Sequence, residues 1–262
     1  MSGAGISGKG FSLRDTPGYS FRKGGGGGSL YDPSWGSPID LTDGTWTLLD
    51  PDSLIDSVSF SGGYNTITWN ALAAGSSNYN WSSGSTHRAP RWYKPAEIEG
   101  NALNSNDLVN AVLYAQADNA VRSFDNAWLN GICVDPTSTT ASTIGGMGLY
   151  ANATQSGSTT AMGVWTVNSS GTSTASTNTR CQTALQYGAR HTGSGVFDIL
   201  DAAGIRVQSG SRNGNTTLPA GSPLQWIVGV GTRGNSITVP GGATQKFKLY
   251  QQAVKFDLAA IL

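Results

Sequence analysis

Charge is scarce in this chain. Asp, Glu, Lys and Arg together make up 12% of its residues, about half the share of an ordinary soluble domain. Sixteen basic residues balance sixteen acidic ones. A nucleic-acid binder needs a basic excess, because each phosphate it neutralises takes a cation. The balance argues against that class. It also removes long-range repulsion between copies, which suits life in an assembly. Long apolar runs are missing too, and none approaches the ~20 residues that span a bilayer. Residues 1–10 carry no apolar core of a signal peptide, so the reading is a protein made in a cytoplasm, with no membrane partner.

The reactive residue types are equally thin. Cys133 and Cys181 are the only cysteines. In a reducing compartment the expectation is two free, buried thiols packed as small apolar side chains. His87 and His191 show no zinc-ligand spacing. The aspartates at 40, 43, 50, 52 and 56 lack the Asp-x-Asp-x-Asp-Gly core of a calcium loop and read as turn formers. Glu97 and Glu99 are the only glutamates. Two residues apart on a strand share a face, so the pair raises glycoside hydrolysis. The laminarinase type carries Glu-x-Asp-x-x-Glu on one strand, however. Ala96-Glu97-Ile98-Glu99-Gly100 has neither the Asp nor the spacing, and a solvated edge pair is the expectation. Gly3 to Gly10 approaches a phosphate loop, but Gly10 follows Lys9 where Ser or Thr must hold magnesium. The residues therefore point to no catalytic group, no metal and no cofactor, and the chain reads as non-enzymatic.

What is present is glycine, 36 residues of it, amid much Ser, Thr and Asn. Short strands joined by many turns have this composition. Residues 1–43 differ from the rest. They are rich in Gly and Pro, include the run Gly24–Gly28, and space out Phe11, Tyr19, Phe21, Tyr31 and Trp35. Such a segment buries too little on itself to offset its ordering entropy. A plain linker would carry no aromatics, so the reading is an extended arm whose rings dock on a partner.

The body runs over 44–262. Thr45–Leu49 reads as a strand. Ser57–Phe60 and Thr66–Trp69 flank a Gly-containing loop and read as a hairpin. Ala89–Lys94, interrupted by proline, reads as an edge or rim. Residues 104–128 fit a helix and a buried strand equally well, with Leu108, Val109, Val112, Leu113 and Ala117 at helical spacing. Further strands are expected at 128–134, 148–151, 162–167, 184–187, 196–200, 224–231 and 245–258. Polar loops are expected at 137–146, 152–161 and 168–179. The sum is a mainly β chain, an antiparallel sandwich or jelly roll behind an extended arm.

One cluster suggests a ligand. Trp69, Tyr79, Trp81, Trp92 and Tyr93 fall in a short window. Aromatic faces stack on sugar rings, so a carbohydrate site is one reading. Core packing or subunit contact is the other.

Several segments carry a resemblance: Trp46–Leu54, Thr66–Leu72, Arg88–Lys94, Cys133–Thr140, Gly188–His191 and Gln245–Lys248. Over about residues 44–258 the chain resembles virion structural proteins of marine tailed bacteriophages with a concanavalin A/LamG-like jelly roll. The resemblance implies a virion component, a capsid decoration or a tail or neck appendage such as a tail fiber. Its partners would be other virion proteins and further copies of itself, a trimer being common among such appendages. A host-surface glycan is the alternative partner. No catalytic residue carries over.

Overall fold

The computed structural model describes residues 37–254 except 74–76, 82–85, 99–100, 103–109, 154–158, 169–170, 183–186, 192–195, 201–205 and 212–220. The arm aromatics Phe11, Tyr19, Phe21, Tyr31 and Trp35 lie outside these residues.

The fold is an antiparallel β-sandwich of jelly-roll type. The strands are β1 (Thr47–Leu49), β2 (Ile55–Ser61), β3 (Tyr64–Trp69), β4 (Arg91–Pro95), β5 (Glu97–Ile98), β6 (Asn101–Ala102), β7 (Asn110–Arg122) and β8 (Asn126–Cys133). They continue with β9 (Gly146–Ala153), β10 (Thr159–Asn168), β11 (Gly171–Gln182), β12 (Tyr187–His191), β13 (Val196–Leu200), β14 (Arg206–Ser211), β15 (Gln225–Thr232) and β16 (Thr244–Val254). A one-turn helix, α1 (Ala141–Ile144), precedes β9. One seven-stranded sheet runs β1-β4-β15-β8-β9-β10-β11, and the other runs β14-β13-β12-β7-β16-β3-β2. The short pair β5-β6 is separate, and it carries Glu97, which is exposed; Glu99, the other member of the expected pair, lies outside the described residues.

The β2–β3 hairpin turns on Gly62 and Gly63, with φ of +60° and +82°. A two-residue turn of this hand matches strand twist and excludes most side chains at both positions. Along β3 the burial alternates, with Asn65, Ile67 and Trp69 inward and Tyr64, Thr66 and Thr68 outward. β16 answers with Gln245, Phe247 and Leu249 inward and Lys246, Lys248 and Tyr250 on the outer face. From the other sheet come Trp92, Trp128, Ile132, Trp226, Val228 and Val230. Trp69 meets Phe124 edge-on at 5.4 Å, and Trp128 tilts against Phe247 at 6.4 Å. Burying each such side chain contributes roughly 1.5–3 kcal/mol.

β8 and β15 break the alternation and are buried along nearly their whole length. A second core explains this. Trp81, Ala89, Ala127, Leu129, Cys133, Ile144, Tyr150 and Ile227 pack on the outer face of the first sheet. Residues 77–81 and 86–90, together with α1, supply the cover.

Several expectations need correction. Residues 110–122, within the ambiguous stretch, form β7. Its backbone pairs with β12 and β16, and those distant partners decide against the helix. The tract 168–179, expected as a loop, is largely β11, antiparallel to β10; its threonines favour extended backbone. β4, expected at an edge, lies between β1 and β15, with its prolines at or beyond its ends. Residues 38–41, read as the tail of the arm, pack onto the body. The Ile39 N–H donates to Leu249 O at 2.9 Å, Leu41 N–H to Asn65 Oδ1 at 2.9 Å, and Asn65 Nδ2 to Ile39 O at 2.7 Å.

Candidate functional site

The aromatic cluster read either as a sugar site or as core and subunit contacts is mostly interior. Trp69 and Trp81 are 0% exposed and Trp92 is 3%. Trp69 and Trp92 belong to the core between the sheets, while Trp81 belongs to the outer core. The structure splits the cluster between two layers, so those indoles offer no common face to a ligand. Tyr79 and Tyr93 are half-buried. The Tyr79 hydroxyl donates to Asp52 Oδ2 at 2.9 Å, and Arg88 Nε donates to the same oxygen at 2.8 Å. Arg88 also pairs with Oδ1 of Asp52. The Arg88 hydrogen bonds hold the Asp52 carboxyl below its ordinary range, although burial opposes this.

Trp81 is a structural keystone. Its Nε1–H donates to Val230 O at 3.1 Å. Its ring lies flat on His87, with centroids 5.1 Å apart and planes 12° apart, and the Arg91 guanidinium carbon sits 5.7 Å from it. A Cβ at Gly229 would come within 2.6 Å of the indole, so glycine there is what admits the ring. Burial and the neighbouring Arg91 charge lower the His87 pKa to about 4, against a weaker opposing contribution from the Asn80 backbone. Arg91 donates to His87 O and Ser138 O at 3.2 and 2.7 Å. Burial pulls its pKa down to about 10. Burial also pushes the Cys133 thiol far up. These groups are locked into packing and are poor candidates for chemistry.

A different place has the features of a site. At one end of the sandwich, beside edge strands β1 and β2, an open cleft of about 640 Å³ lies between the sheets. Pockets for small ligands fall at about 300–1,000 Å³. Pairing assembles one wall. β15 sets Trp226 opposite Lys94 of β4, and Lys94 Nζ lies 4.6 Å over the ring of Trp46, just before β1. Phe60 of β2 comes from the other sheet, and Ser37–Ile39 with Gly63 close the rim.

Asp40 and Asp43 bring carboxylates to this cleft. Asp40 Oδ1 accepts from the amide and hydroxyl of Thr42, at 2.7 and 2.6 Å. Asp43 Oδ1 accepts likewise from Thr45, at 2.8 and 2.7 Å. Each bond pair fixes its carboxylate and leaves Oδ2 without a partner among the described residues. Burial works to raise the Asp43 pKa, but the Thr45 bonds and the Lys94 charge outweigh it and the carboxyl sits below its ordinary value. The Trp46 Nε1–H is buried without an acceptor among the described residues. Leaving such a donor unmade costs about 1–3 kcal/mol. Among the described residues no cluster of His, Cys, Asp and Glu could hold a metal ion.

Sequence reasoning missed this site. Its parts lie near residues 40, 60, 94 and 226, and only strand pairing unites them. The one local signal was Lys94, two residues after Trp92 and therefore on the inward face of β4.

No protein-family model matches the sequence, and no curated protein matches it. Solved structures do. The CBM2 module of the evolved Dit of Lactobacillus casei BL23 phage J-1 is 8% identical, with a TM-score of 0.41 over 82% of this chain and 94% of that one. The alginate lyase PA1167 of Pseudomonas aeruginosa is 10% identical, with a TM-score of 0.45 over 77% and 86%. A legume lectin-like domain of Entamoeba histolytica is 9% identical, with a TM-score of 0.40 over 80% and 90%. Such distant similarity speaks to the fold and not to activity. It does correct the expectation that the chain is not an enzyme. Alginate lyases and endo-β-1,3(4)-glucanases are among these neighbours, so a missing laminarinase signature is no ground for excluding catalysis.

Proposed function

We propose that this chain is a glycan-binding β-sandwich with a structural or adhesion role on a phage particle, its saccharide seated in the cleft of Trp46, Phe60 and Trp226. The observation that carries the reading is the union, in one open cleft, of an aromatic lining, half-buried Phe60 with Trp46 and Trp226 at 9% and 6% exposure, with two anchored carboxylates whose Oδ2 atoms are unengaged among the described residues. Sugars need both parts: apolar surface for the ring and fixed polar groups for the hydroxyls. The particle side of the proposal rests on the resemblance over 44–258 and on the Gly-rich segment before the body, whose Phe11, Tyr19, Phe21, Tyr31 and Trp35 would dock on other virion proteins.

A glycan array with the purified chain tests the binding claim, followed by titration calorimetry on the best ligand. Phe60→Ala and Asp43→Asn are expected to weaken binding by about tenfold or more, with circular dichroism to verify the fold. Binding unchanged in both variants would remove the cleft from the account. Product analysis on the bound glycans shows whether they are also turned over. Deleting residues 1–36 is expected to abolish incorporation into particles, and normal incorporation would refute the docking role.

A further inference from the structure

The charged groups that line the cleft do not cancel. Asp40 and Asp43 bring two carboxylates, and among the described residues Lys94 is the one cation of the lining. Lys248 sits over the outward ring of Tyr64 and is not part of that lining. The lining therefore carries a net negative charge.

The protein itself fills one ammonium seat here. Lys94 Nζ rests 4.6 Å from the ring centre of Trp46, with Thr45 Oγ1 at 3.4 Å and Asp43 as its charge neighbour. An aromatic face beside a carboxylate suits a cation that has shed part of its water. Asp40 has both parts of such a seat without the cation. Its Oδ1 is held by Thr42, and no basic side chain lies within ion-pair distance of it among the described residues. Asn65 fixes its place. The Asn65 side chain donates to Ile39 O at 2.7 Å and accepts from the Leu41 N–H at 2.9 Å, so it grips the residues on either side of Asp40. Phe60 of β2 is the cross-strand partner of Asn65. Asp40 and Phe60 are both half-buried, and both line the cleft.

We infer that the saccharide taken by this cleft is an amino sugar, its free ammonium seated at Asp40 and Phe60 alongside the hydroxyl contacts. The inference rests on the cleft being the glycan site. A carboxylate oxygen has two lone pairs, so Oδ2 of Asp40 can accept from a hydroxyl and an ammonium together. An acidic sugar would bring like charge to both aspartates. An N-acetylated sugar would bring no charge to Asp40.

The test is calorimetric titration of the full chain with three oligosaccharides of one linkage and length: a glucosamine oligomer at a pH that keeps its amines protonated, its N-acetylated form, and the glucose oligomer. Each is repeated with Asp40→Asn and Phe60→Ala, with circular dichroism to verify the fold. Asparagine keeps an Oδ1 acceptor for Thr42 and removes the charge. The amine form is expected to bind about fivefold or more tighter than the other two, the scale of an ion pair joined to a cation–π contact. That advantage should shrink as salt is raised. Asp40→Asn is expected to erase it, and Phe60→Ala to weaken all three. An advantage that survives Asp40→Asn overturns the inference, because the ammonium then sits elsewhere. Equal binding of the three, or array glycans that Phe60→Ala weakens with no gain from the amine, overturns the amino-sugar specificity and leaves the cleft reading intact. Binding that is absent altogether, or insensitive to Phe60→Ala, overturns both.

Discussion

Acid should destabilise this protein through His87 before its carboxylates titrate. The imidazole is fully buried against Trp81 with the Arg91 guanidinium nearby. Its pKa falls from 6.5 to about 4 on folding, chiefly through burial. Between those values the unfolded chain holds a proton that the native chain does not. Stability therefore rises with pH across the window and is lost as pH falls through it. The gap from 6.5 to about 4, at about 1.4 kcal/mol per pH unit, amounts to about 3 kcal/mol. For a domain of this size each kcal/mol moves Tm by about 2–4 °C, so the full effect is about 6–12 °C. The assay is thermal unfolding of the wild type and His87→Phe from pH 7.5 to 4. Phenylalanine preserves a ring against Trp81 and removes the proton. The wild type should lose stability below pH 6.5, and the variant should show a flatter profile. His191 is common to both proteins and drops out of the difference. Asp52 contributes at lower pH, because its carboxyl is held below its ordinary value of 3.8. Parallel profiles from pH 7 to 4.5 would refute the reasoning, since they would mean that His87 is protonated as readily inside the fold as outside it.

Gly229→Ala sets a Cβ against the Trp81 indole and is expected to cost at least about 1–3 kcal/mol by overpacking. Trp81→Ala, which leaves a void in the outer core, is expected to cost about 3–5 kcal/mol. Denaturant unfolding checks both, and a shift under 0.5 kcal/mol (~0.5 being the ordinary surface value) would count against the outer core. Cys133 is buried, with its thiol pushed far up, so in Cys181→Ser the remaining thiol is expected to resist an aromatic disulfide reagent until denaturant is added. Prompt reaction in native buffer would show that the outer core opens readily.

Much of the architecture was legible from local rules. Gly62-Gly63 between two β-rich runs marked the hairpin, and turn-punctuated short strands marked the sandwich. The limits are physical as well. Leu108, Val109, Val112 and Leu113 fit a helical face and a buried strand alike, and β7 is decided by pairing with β16 some 140 residues away (Val112 opposite Gln252). Trp81 stayed open between a ligand-facing ring and a core ring because nothing local records that Gly229 and Gly231 leave room for it on β15. The unbroken burial of β8 and β15 reflects two covered faces, which alternation rules do not anticipate. The cleft escaped for a related reason. Trp46, Lys94 and Trp226 are distant in sequence and meet only through the β4–β15 register and the β1–β4 pairing.

A crystal structure of the full chain with the tightest saccharide from the array tests the central claim most directly. The account predicts a sugar ring between Trp46, Phe60 and Trp226, with hydroxyls on the Oδ2 atoms of Asp40 and Asp43. A saccharide bound elsewhere, or a cleft filled by residues 1–36, would contradict it.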